Sequence, residues 1–164
     1  MPTATYTALA TVTLATLNST VSFANIPATY RDLILVASAK GSTSNGGYIS
    51  YRFNGDSGNN YSSVYILGWG NSPSAFSGST SNESFGRFGN AGTSDFETTI
   101  FNINDYSATN KQKTALSRSN VVSLYTIAYA TRWANTSAVT SITLSPDSGN
   151  FASGSTFSLY GIVA

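Results

Sequence analysis

Two Asp-Ser-Gly tripeptides, Asp56-Ser57-Gly58 and Asp147-Ser148-Gly149, are the residues of this chain that most invite a chemical reading. Paired Asp-Thr/Ser-Gly elements can bring two carboxylates together to share one proton, as in two-lobed aspartic proteases. Turn formation is the simpler account: Asp bonds its own backbone, and Gly accepts positive φ. The chain, at 164 residues, is short for two such lobes, and Pro146 stands where an apolar strand should lead into the second Asp. Each tripeptide also runs on through Asn to an aromatic, Tyr61 in one case and Phe151 in the other, which reads as repeated turn chemistry.

Other constellations are weaker. Asn54, Asp56 and Asn59 offer oxygens to a calcium ion, but calcium takes six to eight and usually several carboxylates. Gly86, Gly89 and Gly92 give a G-x-x-G-x-x-G spacing without the strand-to-helix context of a dinucleotide fingerprint. Glycoside hydrolysis needs only two carboxylates, for which Glu83, Asp95 and Glu97 are the candidates on paper. The sequence has no histidine and no cysteine, with eight basic and seven acidic residues. That removes the usual proton shuttle, the thiol nucleophile and most zinc ligands. No catalytic residue, metal site or cofactor is expected, and the chain reads as a non-enzyme. The sequons at Asn18, Asn60, Asn82 and Asn135 are what so Asn-, Ser- and Thr-rich a chain produces by chance.

The elements around these residues read as strands throughout. Thr, Val, Ile, Tyr and Phe abound while helix formers are scarce. Tyr6 to Leu14, Thr20 to Phe23, Leu33 to Ala39, Ile49 to Phe53 and Tyr61 to Leu67 alternate or run apolar as strands do. Phe96 to Ile103, Leu124 to Trp133, Val139 to Leu144 and Thr156 to Val163 do the same. Lys111 to Arg118 is more polar and reads as an edge strand guarded by lysines. The stretch from about 68 to 95, rich in Gly, Ser and Asn, reads as a long polar loop. The expectation is one all-β domain over residues 1–164: an antiparallel, jelly-roll-like β-sandwich of about ten short strands.

A net charge of +1 gives no electrostatic footprint for nucleic acid. No apolar run is long enough to span a membrane, and the N-terminal stretch lacks the basic and apolar regions of a signal peptide. Aromatics are the remaining binding candidates, because Tyr and Trp offer rigid area with a polar tip. Tyr65 and Trp69 stand out, Trp69 because it lies between glycines at the mouth of the polar stretch. Trp133 closes an aromatic-bearing strand and reads as core.

Three blocks carry a likeness: Val21-Ser-Phe-Ala-Asn-Ile-Pro-Ala-Thr-Tyr30 with Asp32-Leu-Ile-Leu-Val36, Tyr51-Arg-Phe-Asn-Gly-Asp-Ser-Gly-Asn-Asn-Tyr-Ser62, and Thr140 to Ile162. In this order they resemble tailed-phage virion proteins of the cyanophage and marine-phage type. The resemblance covers most of the chain apart from about Gly68 to Asp95, and brings no catalytic residues with it.

It implies a virion structural protein, assembled in the host cytoplasm and carried on the capsid or tail surface. The first expectation is a capsid decoration or cement protein, a homotrimer on the major capsid protein or other virion proteins. In it, Pro2 to Thr16 would pair with a neighbour's sheet edge. The alternative is a receptor- or glycan-binding fibre module, with Tyr65 and Trp69 stacking on host sugars. Strand character from one end to the other leaves no stalk, which favours the first.

Overall fold

The structure, a computed structural model, describes residues 5–44, 46–69, 72–80, 83–91, 95–121 and 125–163. These residues form strands β1 (Tyr6–Thr13), β2 (Val21–Phe23), β3 (Asp32–Ala39), β4 (Gly47–Phe53), β5 (Tyr61–Trp69) and β6 (Ser72–Thr80). They continue with β7 (Glu83–Phe88), β8 (Glu97–Asn104), β9 (Lys113–Val121), β10 (Tyr125–Trp133), β11 (Ile142–Pro146) and β12 (Thr156–Ile162). No helix occurs among the described residues.

Two antiparallel sheets face each other, ordered β1-β12-β3-β8-β9-β10-β5-β6 and β2-β11-β4-β7. The fold is an all-β sandwich. Only the steps β5–β6, β8–β9 and β9–β10 stay within one sheet; every other connection crosses to the opposite one, the wrapping path of a jelly roll.

Alternation builds the core. Leu33, Leu35, Ala37 and Ala39 of β3 point inward, as do Phe157 and Leu159 of β12 and Phe101 and Ile103 of β8. Val21, Phe23, Ile49, Tyr51, Phe53, Ile142 and Leu144 meet them from the smaller sheet. Tyr51 is the hub, with ring centroids 4.8 Å from Phe53, 4.9 Å from Phe101, 5.6 Å from Tyr61 and 5.9 Å from Phe85. Each such ring contributes about 1.5–3 kcal/mol by leaving water.

Two sequence expectations change. The stretch from 68 to 95 is not one long loop, since β6 and β7 lie within it. Its Ser, Gly and Asn content hides two margin strands, β6 on the larger sheet and β7 on the smaller, where Phe85, Gly86 and Phe88 are buried. The expected edge strand at Lys111 to Arg118 is instead β9, hydrogen-bonded on both sides by β8 and β10. Lys113 is buried, with its ammonium donating to the carbonyls of Lys111 (2.9 Å) and Thr136 (3.2 Å). It anchors chain at the end of β9 instead of guarding an edge, and burial lowers its pKa. Strand β1 pairs with β12 on one side and forms a margin of the eight-stranded sheet on the other.

The inner faces of β8 and β9 carry Thr99, Ser117 and Ser119, all buried. They are buried because β7 lies directly on them. The Ser117 hydroxyl donates to the Phe85 carbonyl, Thr99 Oγ1 donates to the Arg87 carbonyl (3.3 Å), and the Arg87 amide donates to Ser119 Oγ (3.2 Å). Those backbone groups of β7 are thereby satisfied by side chains of the facing sheet. Gly86 permits the approach: a Cβ there would sit 2.3 Å from Thr99 Cγ2. The smaller sheet thus seats β7 on β8 and β9 and reaches β10 and the start of β5, while β6 and the far part of β5 overhang it.

Candidate docking surface

The outer face of the eight-stranded sheet is set by strand register. One row across β8, β9, β10, β5 and β6 reads Asn102, Leu116, Ala130, Val64 and Ser77. The next reads Ile100, Arg118, Ala128, Ile66 and Ala75. Apolar residues dominate both rows, and the largest are open to solvent: Val64 is 56% exposed, Ile66 62% and Leu116 55%.

This face is not a random scatter of surface hydrophobics. Val64 and Ile66 point outward because Tyr61, Ser63, Tyr65 and Leu67 take the inward positions of the same strand. The small side chains of Ala75, Ala128 and Ala130 leave them standing proud. Two open depressions flank the pair: one of 550 Å³ beside Ile66, Pro73, Ala75 and Ala128, the other of 620 Å³ beside Val64, Leu116, Ala130 and Arg132. Among the described residues of these five strands, the only charges on the face are Arg118 and Arg132. A charge-poor apolar surface of this kind is a candidate docking surface.

The inner side of the overhang is aromatic. Tyr129, Tyr65 and Phe76 form one cross-strand row, with centroids 4.8 Å and 5.0 Å apart in turn. Tyr129 is buried, Tyr65 half-buried and Phe76 47% exposed, so the row runs from the core out to the sheet margin. Burial raises the pKa of both tyrosines. The Tyr129 hydroxyl is buried without a hydrogen-bond partner. Nearby, Glu83 has its pKa raised by burial, and the Arg87 guanidinium lies 4.0 Å from the Tyr48 ring centroid.

Tyr65 is thus on a strand, with rings on both flanks, and Phe76 is the ring that keeps an open side. The sequence reading overlooked Phe76 because it lay in the supposed loop. Trp69 closes β5, with its backbone opposite Tyr125 and Ser72, and its side chain lies outside the described residues. Trp133 is core, stacked with Tyr61 at 6.4 Å.

Neither Asp56 and Asp147 nor Glu83 and Glu97 come together, whereas Asp95 and Glu97 both lie beside Gly89. Phe53 of β4 pairs with Ile142 and Ile49 with Pro146, so Asp56 and Asp147 follow opposite ends of an antiparallel pair. At about 3.3 Å per residue they are more than roughly 13 Å apart, too far to share a proton. Glu83 begins β7, whereas Glu97 packs at its far end beside Gly89. Six residues of strand, about 20 Å, exceed the 5–9.5 Å that either glycosidase geometry allows.

Both tripeptides serve as turns. Asp56 accepts from Trp133 Nε1 (2.7 Å), Asn60 Nδ2 (2.9 Å) and the Gly58 amide (2.8 Å), while Asp147 accepts from the Tyr48 amide (2.9 Å). Asn54, in the left-handed region at φ 53°, spends its side-chain oxygen on the amides of Thr140 (2.8 Å) and Ser141 (3.1 Å). No group of three or more acidic residues that could hold a metal ion occurs among the described residues.

No protein-family model matches the chain, and no curated protein or solved structure does either.

Proposed function

We propose that this protein is a non-catalytic assembly subunit that docks through the outer face of its eight-stranded sheet onto a larger protein shell. The exposed Val64, Ile66 and Leu116, on a face with two charges among its described residues, carry this reading. Their burial on docking supplies the driving force, and the five-strand face supplies area. The sequence resemblance suggests the shell: the head of a tailed phage, with the major capsid protein or another virion protein as partner. A subunit that binds only the assembled shell stabilises it by mass action, which is how a decoration or cement protein acts.

The test is direct. Particles stripped of this protein are to be heated with and without its re-addition, alongside the variant Val64→Ser/Ile66→Thr/Leu116→Ser. Restored heat tolerance with the native chain and none with the variant is the expected result. Unchanged tolerance after stripping would sink the cement role.

One observation favours a second reading, recognition of a host glycan. Phe76 is a ring with an open side, backed by Tyr65 and close to a surface rich in Ser hydroxyls. Host adsorption that survives Phe76→Ala, with no binding on a glycan array, would remove it.

A further inference from the structure

The four sheet margins of this sandwich are unequal. A strand edge exposes unpaired backbone groups, and proteins normally blunt it with short strands, bulges, charges or cover. On the smaller sheet, β2 is three residues long. At the other margin, β7 carries Glu83 and Arg87, shifts register against β4, and has its Phe85 and Arg87 backbone groups taken by Ser117, Thr99 and Ser119. On the larger sheet, β1 is broken by a register shift between Ala8 and Ala10.

Strand β6 has none of these devices beyond Pro73 near its start. It runs nine residues, Ser-Pro-Ser-Ala-Phe-Ser-Gly-Ser-Thr, in unbroken register with β5 and without a charge. Its neighbour β5 has no charge either.

From this we infer that β6 is a self-association edge, pairing antiparallel with β6 of a second copy about a two-fold axis at Phe76. The inference stands apart from what the outer face docks on. Charge selects the occupant: two strand layers without a charge repel nothing of their own kind, so like can meet like. Position selects the register. Phe76 is the middle residue of Ser72–Thr80, so pairing centred there engages the whole strand. It sets Ala75 opposite Ser77 of the other copy, Ser74 opposite Gly78, and Pro73 out near the ends.

The aromatic row gives the same answer. Tyr129, Tyr65 and Phe76 stack outward strand by strand and stop at a ring 47% exposed. Across the axis Phe76 meets its own copy at the spacing of directly opposed residues, and the row continues into the second molecule. The contact is isologous and closes at two copies, whereas β1-to-β6 pairing would be heterologous and would form rings or fibres.

Because the chain lacks cysteine, Phe76→Cys gives a single thiol. Opposed antiparallel residues have Cα atoms about 4.5–5.5 Å apart, within disulfide reach. Mild oxidation of Phe76→Cys should yield a disulfide-linked dimer, while Ala75→Cys, off the axis, should link far less. Sedimentation of the native chain should show a monomer–dimer equilibrium. Phe76→Lys should raise its dissociation constant about tenfold or more with circular dichroism unchanged, since like charges would then oppose each other at the axis, and Ser77→Lys, whose two charges lie diagonally across it, should raise it less. A native chain that is monomeric or trimeric at high micromolar concentration overturns the inference, as does equal linking at Ala75→Cys and Phe76→Cys.

Discussion

The indole N–H of Trp133 donates to the carboxylate of Asp56 across 2.7 Å, tying the end of β10 to the turn that follows β4. The same carboxylate holds Asn60 and the Gly58 amide, so three donors share its two oxygens. The Trp133 bond leads in holding the Asp56 pKa below its ordinary 3.8, followed by the bonds from Asn60 and Gly58.

A pH dependence follows with a definite sign. A depressed folded-state pKa adds stability above the unfolded value, which is lost as pH falls through the folded one. The native chain should therefore lose melting temperature below pH 3.8 more steeply than Asp56→Asn does. At neutral pH the variant should be the less stable, because an Asn amide turns a donor towards donors. Thermal melts from pH 2 to pH 7 would decide it, and parallel curves would discard the assignment.

Asp56 and Trp133 were each legible in the sequence, one as a turn and one as core, but their partnership was not. Seventy-seven positions separate them, and no local pattern encodes the contact. Strand β10 was equally plain, because burial on one face writes period two into the chain, and so was β3, whose apolar run Leu33 to Val36 marks a strand inside a sheet. What escaped was β6 and β7. A margin strand needs little apolar content, and β7 is held partly by Ser117, Ser119 and Thr99, residues that read as surface until the opposite sheet is in place. The docking face also hid in plain sight: the outward set Val64 and Ile66 makes sense only once inward Tyr61 and Tyr65 fix the orientation of β5.

Two buried tyrosines should respond to the same substitution with opposite signs. Tyr51 donates to Thr131 Oγ1 at 3.0 Å, whereas the Tyr129 hydroxyl is buried without a partner. Tyr51→Phe orphans a buried Thr and should cost about 1–2 kcal/mol. Tyr129→Phe removes an unsatisfied hydroxyl and should be neutral or stabilising by about 1 kcal/mol. Denaturant unfolding of both variants checks this, and a destabilised Tyr129→Phe would contradict it.

Gly86 tests the seating of β7. Its missing Cβ is what lets β7 lie on Thr99, and the clash at 2.3 Å cannot be relieved by a flexible side chain. Gly86→Ala should cost about 1–3 kcal/mol, as overpacking does. Gly86→Ala/Thr99→Ser, which removes the methyl but leaves the hydroxyl at 2.4 Å, should recover part of that loss. Equilibrium unfolding of the two variants measures the coupling, and additive effects would place the strain elsewhere.

Arg118 and Arg132 should reveal what kind of surface the outer face meets. Arg118 sits within an apolar row, directly between Ile100 and Ala128, so docking strips its water. A guanidinium desolvated in this way is tolerable only if the partner supplies a carboxylate or carbonyl oxygen. Replacing it with Glu puts like charge against that group, and Arg118→Glu should weaken shell binding by about tenfold or more. Arg132, at the margin of the 620 Å³ depression, stays wetter, so Arg132→Glu should act mainly on the association rate and its salt dependence. Lys111→Glu, exposed in the chain before β9 and paired with Asp105 at 2.9 Å, should leave binding unchanged. Surface plasmon resonance on stripped particles at two salt concentrations separates the three; equal losses would mean that net charge matters and the outer face does not.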